Sequence, residues 1–387
     1  MTPPRLKLSY YSYDSLQNPW CAGGGALRDF EVLRRLAKHW DVTLYVGRYP
    51  GFSPQNREGV KIRALGMGKT NWLCRLTFTL SANLRLPFDG ADVIGNSVSP
   101  FAPILSGLLC TSKCFAVVHH RVGRDSLKKF GALGFVPLLL EGIMLRGLRH
   151  FLVSNRTVAD WIRHNNPVAR VFVTSNSIDP ALLSALPKTA DPAFILFLGR
   201  FDIHMKGLDI LIDAYAGLAR LWDVPGNANR RLPALLLAGA ASSQALTAVR
   251  NLIPEGIEDK VHLRPNVSEE EKRDLMSSCL FFCSPSRFEG FGIAALEANA
   301  SGKAVLVTDT DGFKDSVNPG VTAVMVPAGN VEALRLAMEG LIVDPLQREA
   351  LGRAGREWAK GFNWDRIADA ERVWIADLLR IKAQSIL

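Results

Sequence analysis

The chain has 387 residues, 48% hydrophobic and 21% charged, a balance that fits globular domains and excludes disordered or fibrous chains. That length exceeds one ordinary core and predicts two domains. The net charge of +9 is uneven, with 23 Lys and Arg against 11 Asp and Glu in residues 1–180 and 23 against 26 in the rest, so the first half is expected either to meet an anionic partner or to carry dispersed surface charge without one.

Met1-Thr-Pro-Pro-Arg5 lacks the pattern of a secretory leader, and no uncharged apolar run reaches membrane-spanning length, so a cytoplasmic protein is expected. The spacing of its six cysteines makes a poor zinc signal and suggests buried, reduced thiols.

Leu6 to Tyr11 reads as a first strand, followed by a polar loop ending in Gly23-Gly-Gly25. Apolar residues at 27, 30, 33 and 36 predict an amphipathic helix over 26–39, and Val42 to Val46 a second strand. This order opens a Rossmann-like unit, with the glycines where a helix N-terminus faces phosphate. The spacing is not Gly-x-Gly-x-x-Gly and no acidic residue follows the second strand, which speaks against a dinucleotide oxidoreductase; a plain flexible loop is the other reading.

Further strands are expected at 60–65, 93–95, 115–119, 150–154 and 171–174. The strand Phe115–His119 ends in His119-His120-Arg121, which puts a histidine at the carboxyl end of a parallel strand, where such folds bind ligands; a structural histidine is the alternative. Segment 127–152 mixes large apolar residues with Lys128, Lys129, Arg146 and Arg149. It reads either as peripheral contact with an anionic membrane or as a core helix interrupted at Pro137.

Asn176 to Pro192 has the composition of an interdomain linker, after which the strand–loop–helix order starts again. Phe194–Leu198 is a strand, Gly199–Gly207 a loop and Leu208–Leu218 a helix, with strands following at 235–238, 261–263, 281–283, 304–308 and 323–326. The last 40 residues read as helical, broken at Phe362-Asn-Trp364. At the corner Glu289-Gly-Phe-Gly292, between strand 281–283 and helix 293–300, backbone N–H groups and a helix dipole converge on an anion site bracketed by Glu289 and Glu297. A capping Glu289 and a solvated Glu297 form the bland reading. The only Asp-x-Asp, Asp309-Thr-Asp311, is read as a polar turn.

Gly199-Arg200, Lys206-Gly207, Asn176-x-x-Asp179, Glu289-x7-Glu297 and the early glycine triplet together resemble the retaining GT-B glycosyltransferases of family 4 over nearly the whole chain. The resemblance implies an α/β fold of two Rossmann-like domains facing across a cleft: acceptor domain 1–180, donor domain 181–365, and a helix 366–387 packing back on the first. It implies sugar transfer from a nucleotide-sugar co-substrate, a UDP- or GDP-sugar, to a hydroxyl acceptor, with no other cofactor. With Asp309-Thr-Asp311 read as a turn, cationic side chains rather than a metal are expected to hold the phosphates, and no compact motif of interleaved aromatic and basic residues points to nucleic acid.

By the same resemblance Arg200 and Lys206 grip the donor diphosphate, Glu289 stands next to the donor sugar, and Gly290, Phe291 and Gly292 offer backbone contacts. Glu297 binds the ribose, Gly24 and Gly25 close over the phosphates, and His119 lies beside the reacting sugar, with His120 where many relatives carry Asp. Asn266 and Asn176 are further candidates near the donor. Ser177 replaces a glycine of the family pattern, and Asn299-Ala-Ser-Gly-Lys-Ala304 replaces the run usual behind the site. A nucleotide-sugar epimerase or hydrolase, or a non-catalytic nucleotide or anionic-surface binder, are the alternatives; the joint presence of Arg200, Lys206, Glu289 and Glu297 argues against the silent binder.

Overall fold

The computed structural model describes residues 5–20, 23–110, 113–119, 131–184, 187–188, 193–222 and 231–384, without side chains at 133 and 380–384. His120, residues 127–130 of the segment expected at a membrane, 185–186 and 189–192 of the expected linker, and Pro225 with its neighbours lie outside the described residues. The chain divides into two compact units, one of residues 1–176 with 364–387 and one of 177–363.

The first unit is built on β1 (Lys7–Tyr11), α1 (Gly24–Leu36), β2 (Asp41–Gly47), β3 (Gln55–Arg57), β4 (Val60–Leu65), α2 (Asn71–Arg85), β5 (Val93–Ser97), α3 (Ser106–Leu109), β6 (Cys114–Val118), α4 (Phe135–Gly147), β7 (His150–Val153), α5 (Arg156–Asn165) and β8 (Arg170–Val173). The sheet order is β3-β4-β2-β1-β5-β6-β7-β8, parallel throughout except for β3. The polar strand β3 shows no apolar alternation and went unanticipated; Glu58 and Gly59, at φ 49° and 85°, form the two-residue turn that folds it back onto β4.

Both faces of this sheet are covered, which is why its strands read as apolar runs. On one face Phe30, Leu33 and Leu36 of α1 pack with Trp364, Ile367 and Ile375 of the last described helix, Trp364–Gln384. On the other, Ala82, Met144, Leu145 and Ile162 of α2, α4 and α5 close a second core layer. Pro137 does not interrupt α4: it sits third in the helix, in the first turn, where a missing N–H costs no intrahelical bond.

The second unit contains α6 (Ala181–Ser184), β9 (Phe194–Leu198), α7 (Ile203–Lys206), α8 (Leu208–Trp222), β10 (Ala234–Gly239), α9 (Ser243–Arg250), β11 (Val261–Pro265), α10 (Glu269–Ser278), β12 (Phe281–Ser284), α11 (Ile293–Ala300), β13 (Val305–Thr308), α12 (Asp311–Ser316), β14 (Val324–Val326), α13 (Val331–Val343) and α14 (Pro345–Ala359). Its six-stranded parallel sheet runs β11-β10-β9-β12-β13-β14. Strand order reverses between β9 and β12, and in open α/β sheets the crevice at such a reversal, at the carboxyl ends of the strands, is where ligands bind. The loops leaving those two ends carry Arg200, Lys206 and Glu289. Among the described residues no helix is long and apolar enough to cross a membrane.

Candidate functional site

Beyond β9 the backbone makes one helical turn, α7, where a continuous loop was expected. Asp202 caps it, accepting from the Met205 N–H at 2.9 Å, and Gly207 ends it at φ 64°. This short helix fixes the root of Lys206. A Cβ on Gly207 would lie 2.2 Å from the Pro285 carbonyl oxygen, so the glycine also lets the β12 loop come close.

The two loops are then tied together. The Arg287 and Phe288 N–H groups both donate to the Met205 carbonyl, at 2.9 and 3.3 Å, and the Arg287 guanidinium grips Asp209 in bidentate fashion at 2.8 and 2.7 Å. Burial pushes the Asp209 carboxyl up, but the Arg287 bonds outweigh it and leave it below its ordinary value. This clamp presents Glu289 to Lys206, whose ammonium donates to Glu289 Oε2 at 2.7 Å, with the Ser286 hydroxyl on the same oxygen at 3.3 Å. Both side chains stay partly open to solvent. Arg200, at the mouth of β9, is exposed and forms no ion pair among the described residues.

Glu289 is therefore not a helix cap. The cap of α11 is Gly292, at φ 87° and with no side-chain bond, and a Cβ there would lie 2.5 Å from the Phe313 ring. Gly312 approaches from the loop after β13; a Cβ on it would lie 2.3 Å from the Glu289 carbonyl oxygen. Phe291 turns inward, packing with Ile178, Leu182 and Leu296 and with the Phe362 ring at 6.1 Å, so only its backbone is left to face a ligand.

Glu297, on the second turn of α11, is buried rather than solvated. Lys272 of α10 meets it at 2.9 Å and also reaches Glu269 at 2.8 Å. Burial holds the Glu297 carboxyl above its ordinary value, partly offset by Lys272; burial in turn lowers the lysine, but the two glutamates win and raise it. The Asn266 side chain is committed to the Ala241 backbone, accepting at 3.1 Å and donating at 3.2 Å, which joins the loops after β10 and β11. Asp309 and Asp311 share the Lys314 ammonium at the protein surface.

Among the remaining candidates, Asn176 is buried, with Oδ1 unpartnered among the described residues. His119 follows β6 directly in the first unit. Its ring lies against Gly25, where a Cβ would be 3.2 Å from Cδ2, and α1 begins at Gly24. His119 Nε2 is 3.1 Å from Asp29 Oδ1, which also accepts the Tyr10 hydroxyl at 2.9 Å. Behind Asp29, Arg28 pairs with Glu371 of the last described helix, and Thr174 donates to that glutamate at 2.7 Å. Burial pushes Asp29 up, yet His119 and Arg28 together hold it below its ordinary value.

Asp29, Asp209, Lys272, Arg287 and Gly312 were not singled out in the sequence. One signal was there: Ser268-Glu-Glu-Glu271 is a capping box, seen in the structure with Ser268 and Glu271 bonded reciprocally, and it sets the start of α10 and hence the place of Lys272.

Residues 181–358 match the model of the family described as glycosyl transferases group 1. The chain is 29% identical over 198 residues to the phosphatidyl-myo-inositol mannosyltransferase of Mycobacterium leprae, a match covering 50% of each chain. It spans about half the length of the first curated relatives it matches. Among solved structures it resembles sucrose-phosphate synthase of Thermosynechococcus elongatus, with TM-score 0.79 at 19% identity over 97% of this chain and 100% of that one. It also resembles Anabaena HepE in complex with UDP and glucose, with TM-score 0.72 at 15% identity over 96% of this chain and 100% of that one. These likenesses show the fold: two parallel-sheet α/β units of the GT-B type.

Proposed function

We propose that this chain, whose residues 181–358 match the glycosyl transferases group 1 family model, is a glycosyltransferase that moves a sugar from a nucleotide sugar to a hydroxyl acceptor with retention of configuration. The observation that carries the reading is the Lys206–Glu289 pair, held 2.7 Å apart at the sheet reversal beside the N-terminus of α11, with the exposed Arg200 at the mouth of β9. One carboxylate among two cations and a helix N-terminus suits a ligand that is a polyol at one end and a diphosphate at the other.

In this reading Arg200 and Lys206 hold the diphosphate, and Glu289 accepts from hydroxyls of the sugar, with Lys206 released to the phosphate when donor arrives. Glu297, kept in place by Lys272, accepts from the ribose hydroxyls. As the bond between the anomeric carbon and the phosphate oxygen breaks, its electron pair stays on that oxygen. The acceptor hydroxyl oxygen bonds to the same face of the carbon, and its proton passes to the departing phosphate oxygen, so no protein nucleophile is required. The negative charge that develops on the leaving diphosphate is what the two cations stabilise, without a metal ion; losing one of them costs on the order of 100-fold in rate. In the first unit His119 is assigned as a hydrogen-bonding group toward substrate, its ring steadied by Asp29. The UDP named with the HepE structure favours a uridine diphosphate sugar, with a guanosine diphosphate sugar next.

The test is thermal shift with UDP and GDP, followed by the same measurement on Arg200→Ala and Lys206→Ala. At 100 times its dissociation constant a ligand stabilises by about 2.7 kcal/mol, enough to read. Both substitutions should leave the unliganded midpoint in place and abolish most of the shift. A shift retained in both variants defeats the assignment. Retention is read from the anomeric configuration of the product, and metal independence from activity in excess chelator.

A further inference from the structure

The first unit leaves an apolar surface exposed on which the proposed transfer has no assigned residue. Of the 22 large apolar side chains that the described residues leave exposed, 13 lie between Met67 and Ile143. Their backbone is α2, where Trp72, Leu76, Leu80 and Leu84 follow one another at four-residue steps and are each at least half exposed, while Cys74, Phe78 and Ala82 on the opposite side are buried. A helix of this kind has two apolar faces, and only one of them is needed by the core.

The ridge continues onto its neighbours. The Leu105 N–H donates to the Asn83 side chain at 2.8 Å and the Thr79 hydroxyl to the Phe101 carbonyl at 2.8 Å, which sets the exposed Leu105 and Leu108 beside α2. Next, α3 meets α4 backbone to backbone, a Cβ on Gly107 falling 2.4 Å from the Gly147 carbonyl carbon. That contact brings up Phe135, Leu139 and Ile143, also exposed. Isolated exposed leucines are ordinary, but a continuous patch of this extent marks an interaction surface.

Charge says what covers it. The stretches that build the surface, 66–88, 98–110 and 131–149, contain Lys69, Arg75, Arg85, Arg146 and Arg149 and a single carboxylate, Glu141, which is buried; Arg75 lies over the Tyr13 and Phe101 rings and Arg85 over Tyr45, so the charge offered to a partner comes from the exposed Lys69, Arg146 and Arg149. Asp89, just beyond, is occupied by the Ser9 and Tyr11 hydroxyls and lies 3.9 Å from the Arg85 guanidinium. Exposed leucines and a tryptophan, with Lys69, Arg146 and Arg149 exposed on the same stretches and no exposed carboxylate among their described residues, are complementary to a layer of acyl chains under anionic headgroups. We propose that α2, α3 and α4 together form a face that seats the protein on an anionic lipid bilayer, a property independent of the sugar-transfer reading. Residues 131–149 of the 127–152 segment singled out in the sequence supply part of this face; α2, not singled out there, supplies another.

The experiment is co-sedimentation with vesicles of phosphatidylcholine alone and of phosphatidylcholine mixed with phosphatidylglycerol, using the full chain and the variant Leu76→Glu/Leu80→Glu. The wild-type chain should pellet with the mixed vesicles, much less with phosphatidylcholine, and less as salt is raised. The variant should partition at least about tenfold less, since a carboxylate at each of two apolar positions both loses burial and repels the headgroups. Its thermal midpoint should match wild type, because both positions are exposed. Failure of the wild-type chain to pellet with mixed vesicles, or equal pelleting of the variant, overturns the proposal. So does a wild-type dimer in solution that the variant dissociates, which would make this face a contact between copies of the chain.

Discussion

Lys272→Met isolates what the buried carboxylate of Glu297 requires. Lys272 and Glu297 are 14% and 5% exposed at the side chain and 2.9 Å apart, and methionine keeps most of the lysine's volume while removing its charge. Removing one partner of a buried pair leaves an uncompensated charge and costs about 3–5 kcal/mol at neutral pH. The sign of its pH dependence follows from burial, which already holds the Glu297 carboxyl above its ordinary value with the lysine present. Without the lysine it rises further. Between the unfolded carboxyl value, about 4.3, and that raised value, the native state keeps a proton that the unfolded chain has lost, so stability falls as pH rises through the window. The deficit of the variant is then full above the window and shrinks on acidification. Urea denaturation at several pH values measures it, and Lys272→Met/Glu297→Gln should recover most of the loss at pH 7. A deficit below about 1 kcal/mol, or one that is the same in acid, would refute the reasoning, because the cost would then be packing rather than charge. The double variant also separates stability from ligand binding: restored in fold, it should still lack the carboxylate assigned to the ribose and show a smaller UDP shift.

Two further outcomes are expected. Gly312→Ala pushes a methyl group against the Glu289 carbonyl, 2.3 Å away, and since backbone cannot yield as a side chain can, the 289–292 turn must move; we expect a loss of about 1–3 kcal/mol in thermal unfolding together with loss of the UDP shift, and an unchanged UDP shift would remove the turn from the site. Arg28→Met leaves Glu371, among the described residues, with the Thr174 hydroxyl as its hydrogen-bond partner and should cost about 3 kcal/mol or more in urea, whereas Arg28→Met/Glu371→Gln should recover part of it; a near-neutral single variant would show that the buried network contributes little.

Fold and site were legible to different depths. Short apolar runs bounded by loops located the strands because a sheet covered on both faces demands them, and Val60–Leu65 and helix Ile293–Ala300 begin and end where the sequence pattern places them. The edge strand Gln55–Arg57 escaped because its pairing is set by a turn at positive φ, which Glu58-Gly59 signals only faintly. The one turn of helix at Ile203–Lys206 escaped because four residues carry no periodicity. Glu289 and Glu297 stood out by their spacing, but their partners did not. Lys206 is 83 positions from Glu289 in the chain, and Lys272 is 25 positions from Glu297. The demand made by Glu289 on Gly312 is also non-local, because it is an absence of side-chain volume. Asp29 was hidden for another reason: one acidic residue in an amphipathic helix reads as surface charge, and only the sheet brings it beneath His119.

The helix at Trp364–Gln384 has a consequence for how the protein is made. It belongs to the first unit, where Trp374 stacks edge-on against Phe115 and Glu371 neutralises Arg28. A ribosome delivers residues 1–176 first, yet at roughly 5–20 residues per second the whole second unit emerges over about ten to forty seconds before that helix appears. During that interval the nascent first unit holds an unneutralised arginine and an uncovered aromatic patch, while the later-born unit already has every strand of its sheet. Synthesis order and completion order are reversed, so a premature stop near residue 363 would spare the second unit and leave the first as a substrate for chaperones and proteases.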